Sequence, residues 1–216
     1  MAGRLLQKHT VEVARTGGPR SFARVTAVPP VFAYDGGMAT TTLMSFAEFE
    51  RLEQGADQIE LLNGELIRVP PPYLVHMQIC ERLYKILDSA VERLRKANPD
   101  LNLGSVHIEM GYYFRGTPTS WLRPDVSVTH PDQAAERFYF GAPLIALEVV
   151  SEYDTAPRLN EKVAAYLANG SAEVWLIYPK QRHAWVYDGS AAARKETESI
   201  HTALLPGIDI PLADIL

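Results

Sequence analysis

Between Leu144 and Ser151 the chain reads Leu-Ile-Ala-Leu-Glu-Val-Val-Ser, a short apolar run interrupted near its middle by one carboxylate, Glu148. A run of this length without polar alternation fits a central strand covered on both faces. The chain must therefore supply a packed layer on each side of a sheet. A carboxylate inside such a strand is costly to bury unless something compensates it. Alternation along the strand puts Ala146, Glu148 and Val150 on one face.

The segments around this strand supply the layers. Ser45-Phe46-Ala47-Glu48 is a capping box and predicts a short amphipathic helix carrying Phe46, Phe49 and Leu52 or Glu53. Apolar stretches at residues 59–62 and 65–69 flank Asn63-Gly64, a strong hairpin signal, and Pro70-Pro71-Pro72 stops that ribbon. Val75, Ile79, Leu83, Leu87, Val91 and Leu94 recur at spacings of three and four, which predicts a long helix over 73–97 ended by Asn98-Pro99-Asp100. Strand-like stretches follow at 104–114, 124–129 and 144–151. A second helix is expected over 156–168, closed by Asn169-Gly170, and then a hairpin pairing 174–178 with 183–187. The tail from Leu204 to Pro211 has apolar residues able to pack and two breakers. The simplest architecture is an α/β (α+β) domain with one mixed central sheet flanked by helices.

Residues 1–37 lack periodicity and contain Gly17-Gly18-Pro19, Pro29-Pro30 and Gly36-Gly37, so they read as a flexible extension, with the folded domain at 38–216. Met38 begins a segment that resembles an ordinary protein start, which makes the extension dispensable on this reading; a basic arm that touches nucleic acid is the alternative. The extension holds five Lys/Arg against Glu12 and Asp35. The body therefore keeps 16 of the 21 basic and 24 of the 26 acidic residues, a net charge of -8. Such a body repels a polyanion at long range, so any nucleic-acid chemistry here needs a local basic patch or bound divalent cations. Cys80 is the only cysteine, which excludes an internal disulfide and a zinc site built on several cysteines. With no run of about 18 apolar residues and no export signal, the expectation is a cytoplasmic protein without membrane attachment.

Asp125 sits in Arg123-Pro124-Asp125-Val126-Ser127-Val128, a second short apolar strand. Two acidic residues in neighbouring apolar strands suit a hard cation such as Mg²⁺, which takes one or two protein carboxylates and keeps several waters. The loop 151–155 leads from Glu148 straight into the next helix. On that helix Arg158, Lys162 and Tyr166 share one face and Leu159, Val163 and Leu167 the adjacent apolar one. Lys162 is thereby placed to reach over the acidic strand, where an ammonium offsets charge growing on a phosphate. A solvated surface lysine and acids that cap turns or pair with arginine are the plain alternatives.

Arg-Pro-Asp125-Val, Leu-Glu148-Val-Val-Ser151, Lys162-x-x-x-Tyr166 and Glu173-Val-Trp175-Leu-Ile-Tyr-Pro179 together resemble the Uma-two family of restriction-endonuclease-like proteins, placed in the PD-(D/E)XK nuclease superfamily. The segment around Glu60, Gly64 and Glu65, the proline stop, His76 and the closing Leu-Pro-Gly-Ile-Asp-Ile-Pro-Leu are similar too. The resemblance runs from about Thr42 onward. It implies a restriction-endonuclease-like fold and a Mg²⁺- or Mn²⁺-dependent endonuclease acting on nucleic acid, DNA in the first instance, with room for a homodimer. It further implies that Asp125, Glu148 and the backbone carbonyl of Val149 hold the metal and that Lys162 is catalytic. Glu60, His76 and Tyr166 would be accessory. The superfamily's usual lysine, two residues after the acid, is replaced here by Val150, and Lys162 takes its role on this reading. A non-catalytic module on the same fold is the main rival. A histidine-based hydrolase using His76, His107 or His183 lacks paired ligand spacing, and Ser151 lacks a nucleophile elbow.

Overall fold

In the computed structural model, residues 43–52, 58–98, 101, 103–190 and 192–216 are described. The extension expected over 1–37, Glu53 and the Pro99-Asp100 helix stop lie outside them. The capping box starts α1 (Phe46–Glu50): the Ser45 hydroxyl accepts from the Glu48 N–H at 3.3 Å, and the Glu48 carboxylate accepts from the Ser45 N–H at 2.8 Å. β1 (Gln58–Leu62) and β2 (Glu65–Val69) pair antiparallel about Asn63 and Gly64, whose φ of 51° and 81° suit a two-residue hairpin turn. After the prolines comes α2 (Leu74–Ala97), with Tyr73 as its N-cap. Its buried stripe is Ile79, Cys80, Leu83, Leu87, Ala90 and Val91. Val75, expected in that stripe, is exposed, because the first turn of α2 lies at a cavity mouth and not over the core.

The stretch 104–114, expected as one strand, is two. β3 (Val106–Ile108) and β4 (Tyr112–Phe114) belong to different sheets. The chain turns between them through Glu109, at a φ of 47°, and Gly111, where an added Cβ would meet the Trp121 ring at 2.5 Å. Together with β5 (Ser120–Leu122) and the short β7 (Tyr139–Phe140), β4 joins the hairpin in a five-stranded sheet of order β2-β1-β5-β4-β7. The second sheet contains β6 (Val126–Val128), β8 (Ile145–Val149), β9 (Glu173–Tyr178), β10 (His183–Tyr187) and β11 (Arg194–Glu196), in the order β11-β10-β9-β8-β6-β3. The fold is the expected mixed α+β arrangement with helices flanking mixed sheets, its described strands divided among a six-, a five- and a two-stranded sheet. In the larger sheet β8 and β9 are parallel, and α3 (Ala156–Ala168) makes the crossover between them.

β8 is buried along its whole length. Ile145, Leu147 and Val149 point to the side of α2, with Trp175 and Ile177 of β9. Ala146, Val174 and Leu176 point to the opposite side, with Leu159, Val163 and Tyr166 of α3 and Tyr112, Phe114 and Leu122 of the smaller sheet. Each fully buried side chain of this kind contributes roughly 1.5–3 kcal/mol. The alternation that sorts these residues also aims Glu148 at α3. The tail forms β12 (Ser199–His201), β13 (Asp209–Pro211) and α4 (Leu212–Ile215). Ile200, Leu205, Ile210 and Ile215 complete the core beneath α2. No described helix is long and apolar enough to cross a membrane.

Candidate active site

A cavity of about 100 Å³ opens where the N-terminal end of α2, the loop after β8 and the face of α3 meet. Its wall includes Glu60, His76, Asp125, Glu148, Val149 and Lys162, delivered by five separate stretches of chain. Glu148 is on the α3 side of the buried strand. Its Oε1 accepts from the Tyr166 hydroxyl at 2.9 Å, and both of its oxygens lie 3.2 Å from Lys162 Nζ. Lys162 also approaches Glu60 Oε2 at 2.9 Å, although that oxygen is not aligned for a hydrogen bond. The other Glu60 oxygen accepts from the Arg123 backbone N–H at 2.9 Å. Lys162 is thus clamped between two buried carboxylates and is itself only 11% exposed.

Asp125 immediately precedes β6. Its Oδ2 accepts from the Val149 N–H at 2.6 Å, a charge-assisted bond that ties the end of β8 to the start of β6. The same oxygen faces His76 Nε2 at 3.2 Å. Lys162 contacts Glu148 and Glu60, and Asp125 contacts neither Lys162 nor Glu148 directly among the described contacts. Arg158, on the same helix face as Lys162, turns away to Glu65 and Glu161. His107 and His183 are not part of the cavity wall. Ser151 spends its hydroxyl and its N–H on Asp154 within the loop, so among the described residues no hydrolase triad forms there.

The electrostatics follow from the count of charges. Glu60, Glu109, Asp125, Glu148 and Asp154 line the cavity against Lys162, Arg123 and His76. Burial pushes the Glu148 carboxyl up to about 8; Lys162 and the Tyr166 hydroxyl draw it down, while Asp125 and Glu60 raise it. Burial opposes the charge on Lys162, but Glu148 and Glu60 outweigh it and raise its pKa. His76 shows the same balance, with burial overcome by its bond to Asp125. All three groups hold their protons more tightly than they would in water, Glu148 chiefly through burial and Lys162 and His76 through the carboxylates beside them.

Two kinds of donor set are available. Asp125 and Glu148 put carboxylate oxygens on the cavity wall, hard donors of the type that suits Mg²⁺ or Mn²⁺. The other set was missed in the sequence: His76, Cys80 and Asp125 are the three ligating side chains whose donor atoms all lie within 4.8 Å of one another among the described residues. The His76-x-x-x-Cys80 spacing, which stacks both on one face of α2, was the available signal. Cys80 Sγ is 3.5 Å from His76 Nδ1, and burial, reinforced by Asp125 and Glu109, pushes its thiol far up. Held as a neutral thiol, Cys80 is a poor ligand for a hard cation. The cavity mouth carries a second feature without sequence warning, the paired rings of Tyr73 and Tyr153.

The family model described as "Putative restriction endonuclease" (Uma2) matches residues 46–213. No curated protein matches the sequence. Among solved structures, a putative nuclease from Anabaena variabilis is similar with a TM-score of 0.67 and 18% identity, over 78% of this chain and 95% of that one. At that identity the likeness is one of fold.

Proposed function

The chain belongs to the Uma2 family of putative restriction endonucleases, and from that membership we propose that it is a metal-dependent endonuclease that hydrolyses phosphodiester bonds of nucleic acid, DNA in the first instance. The observation that carries the reading is the clamp on Lys162: a protonated amine held between two buried carboxylates at the wall of an acidic cavity. Asp125 and Glu148 supply carboxylate oxygens for Mg²⁺ or Mn²⁺, and Val149 supplies its carbonyl. When bound, the cation provides a Lewis acid that activates water and shields phosphate charge. Lys162, kept protonated by Glu148 and Glu60, places positive charge beside the phosphate as negative charge grows on it. Tyr166 donates to Glu148 and fixes which way that carboxylate turns. His76 does the same for Asp125. Residues 1–37 lie outside this unit in the proposal, the nuclease domain being 38–216, in a cytoplasmic protein able to form a homodimer.

Two observations favour a second reading. The body carries a net charge of -8, and Val150 stands where the superfamily usually has its lysine, as a module with no turnover would allow. A cleavage assay separates the two. Wild-type protein with Mg²⁺ or Mn²⁺ is expected to cut at least one of duplex DNA, single-stranded DNA and RNA, and Asp125→Ala to cut none. Equal residual cleavage by both proteins, or none by wild type with either metal, decides for the non-catalytic module.

A further inference from the structure

Tyr73, at the N-cap of α2, and Tyr153, in the loop after β8, meet at the cavity mouth. Their ring centroids are 6.2 Å apart with planes tilted by 29°, and their hydroxyls are 2.6 Å apart. Core aromatics are hidden, yet these rings are 57% and 54% exposed, and Leu74 and Val75 beside Tyr73 are more exposed still. Four of the six exposed large apolar side chains among the described residues therefore lie at or next to the mouth of the cavity that Lys162 lines. Four side chains are too small for a stable interface between two copies, which needs about 800 Å² from each partner. They are the right size for one or two nucleobases.

The charge of the body narrows the choice of nucleic acid. Five carboxylates line the cavity, so a duplex, with a charge on every phosphate of both strands, gains little from counterion release here. Stacking of a base on an aromatic ring needs no cation and tolerates any base. A paired base keeps its faces inside the duplex; an unpaired one exposes them. We propose that the Tyr73–Tyr153 pair is a stacking platform for unpaired nucleotides, so that the substrate class is single-stranded nucleic acid or a single-stranded end. This rests on the hydrolytic reading of the neighbouring cavity for its substrate sense, but the platform is a binding property and is measured as one.

The test is fluorescence anisotropy in Mg²⁺ with a labelled phosphorothioate oligothymidylate and a blunt phosphorothioate duplex of equal length. Wild type, Tyr73→Ala/Tyr153→Ala and Tyr73→Phe/Tyr153→Phe are compared. Both tyrosines are exposed, so the fold tolerates either pair of changes. The expected result is a preference for the single strand, about tenfold weaker binding by the alanine pair, and near-wild-type binding by the phenylalanine pair. The salt dependence should be shallow, equivalent to about one or two phosphates. Equal binding of duplex and single strand, or an alanine pair that binds as wild type, overturns the platform. So does an alanine pair that changes the oligomeric state while strand binding is unchanged, which assigns the patch to self-association. Cleavage of the ordinary phosphodiester strand, scored in parallel, keeps two failures apart. Cutting by a protein whose strand binding is indifferent to the tyrosines sinks the platform alone; tyrosine-dependent binding without any cutting supports the platform and removes the hydrolytic reading.

Discussion

At the scale of single residues, Glu148 and Lys162 make different predictions. The Glu148 carboxyl is raised by burial from an ordinary value of 4.5 to about 8. Between those values the metal-free folded protein binds more protons than the unfolded chain, so its stability falls as pH rises across that window. Melting temperatures taken in chelator from pH 5 to 8 should decline for wild type. Glu148→Gln should flatten most of that decline, leaving the part due to His76, whose pKa is also raised and whose contribution is lost above 6.5. A wild-type profile that rises with pH would contradict the assignment. Millimolar Mg²⁺ should stabilise the wild type toward the alkaline end and leave Glu148→Gln unmoved. Lys162→Ala should instead retain the cation-dependent shift in melting while turnover falls by about 10²–10³-fold, the usual loss when a charge-stabilising donor is removed. Of these residues, Glu148 announced itself by interrupting an apolar run, and Lys162 by following it on a helix. The resemblance put Glu60 at the site, but nothing in sequence foretold its contact with Lys162, which depends on how α3 packs against β1.

At the scale of elements, periodic segments were legible and segments shaped by tertiary contacts were not. The helices at 74–97 and 156–168 and both long hairpins fall where their apolar spacing and turn residues put them. The stretch 104–114 misled because its composition is uniformly strand-like, while its break is imposed by the Trp121 ring against Gly111. That contact gives a direct check. Gly111→Ala would push a methyl into the indole at 2.5 Å and should cost about 1–3 kcal/mol. Chemical denaturation would measure it, and a loss within error of zero would mean that the ring yields freely. The short strands of the tail were invisible for another reason: three-residue strands carry too little pattern to be read, though the central residue of each, Ile200 and Ile210, is buried in the core beneath α2.

At the scale of the whole molecule, the extension and the buried charges set the remaining expectations. Deleting residues 1–37 should leave the melting temperature unchanged, since the described core is closed by residues 49–215; a clear drop would show that the extension packs on the domain. The clamp of Glu60, Lys162 and Glu148 has a different bearing. Ionisable groups shut away from water seldom stabilise a fold relative to apolar residues of similar size. A protein carrying Glu60→Leu, Lys162→Met and Glu148→Leu should therefore fold and melt at or above wild type while losing all response to cations. Mutational drift in a lineage released from selection on this cavity would find such replacements downhill. The charged clamp is the kind of feature that thermodynamics alone erodes, and its persistence in a chain is a record of what the cavity is still required to do.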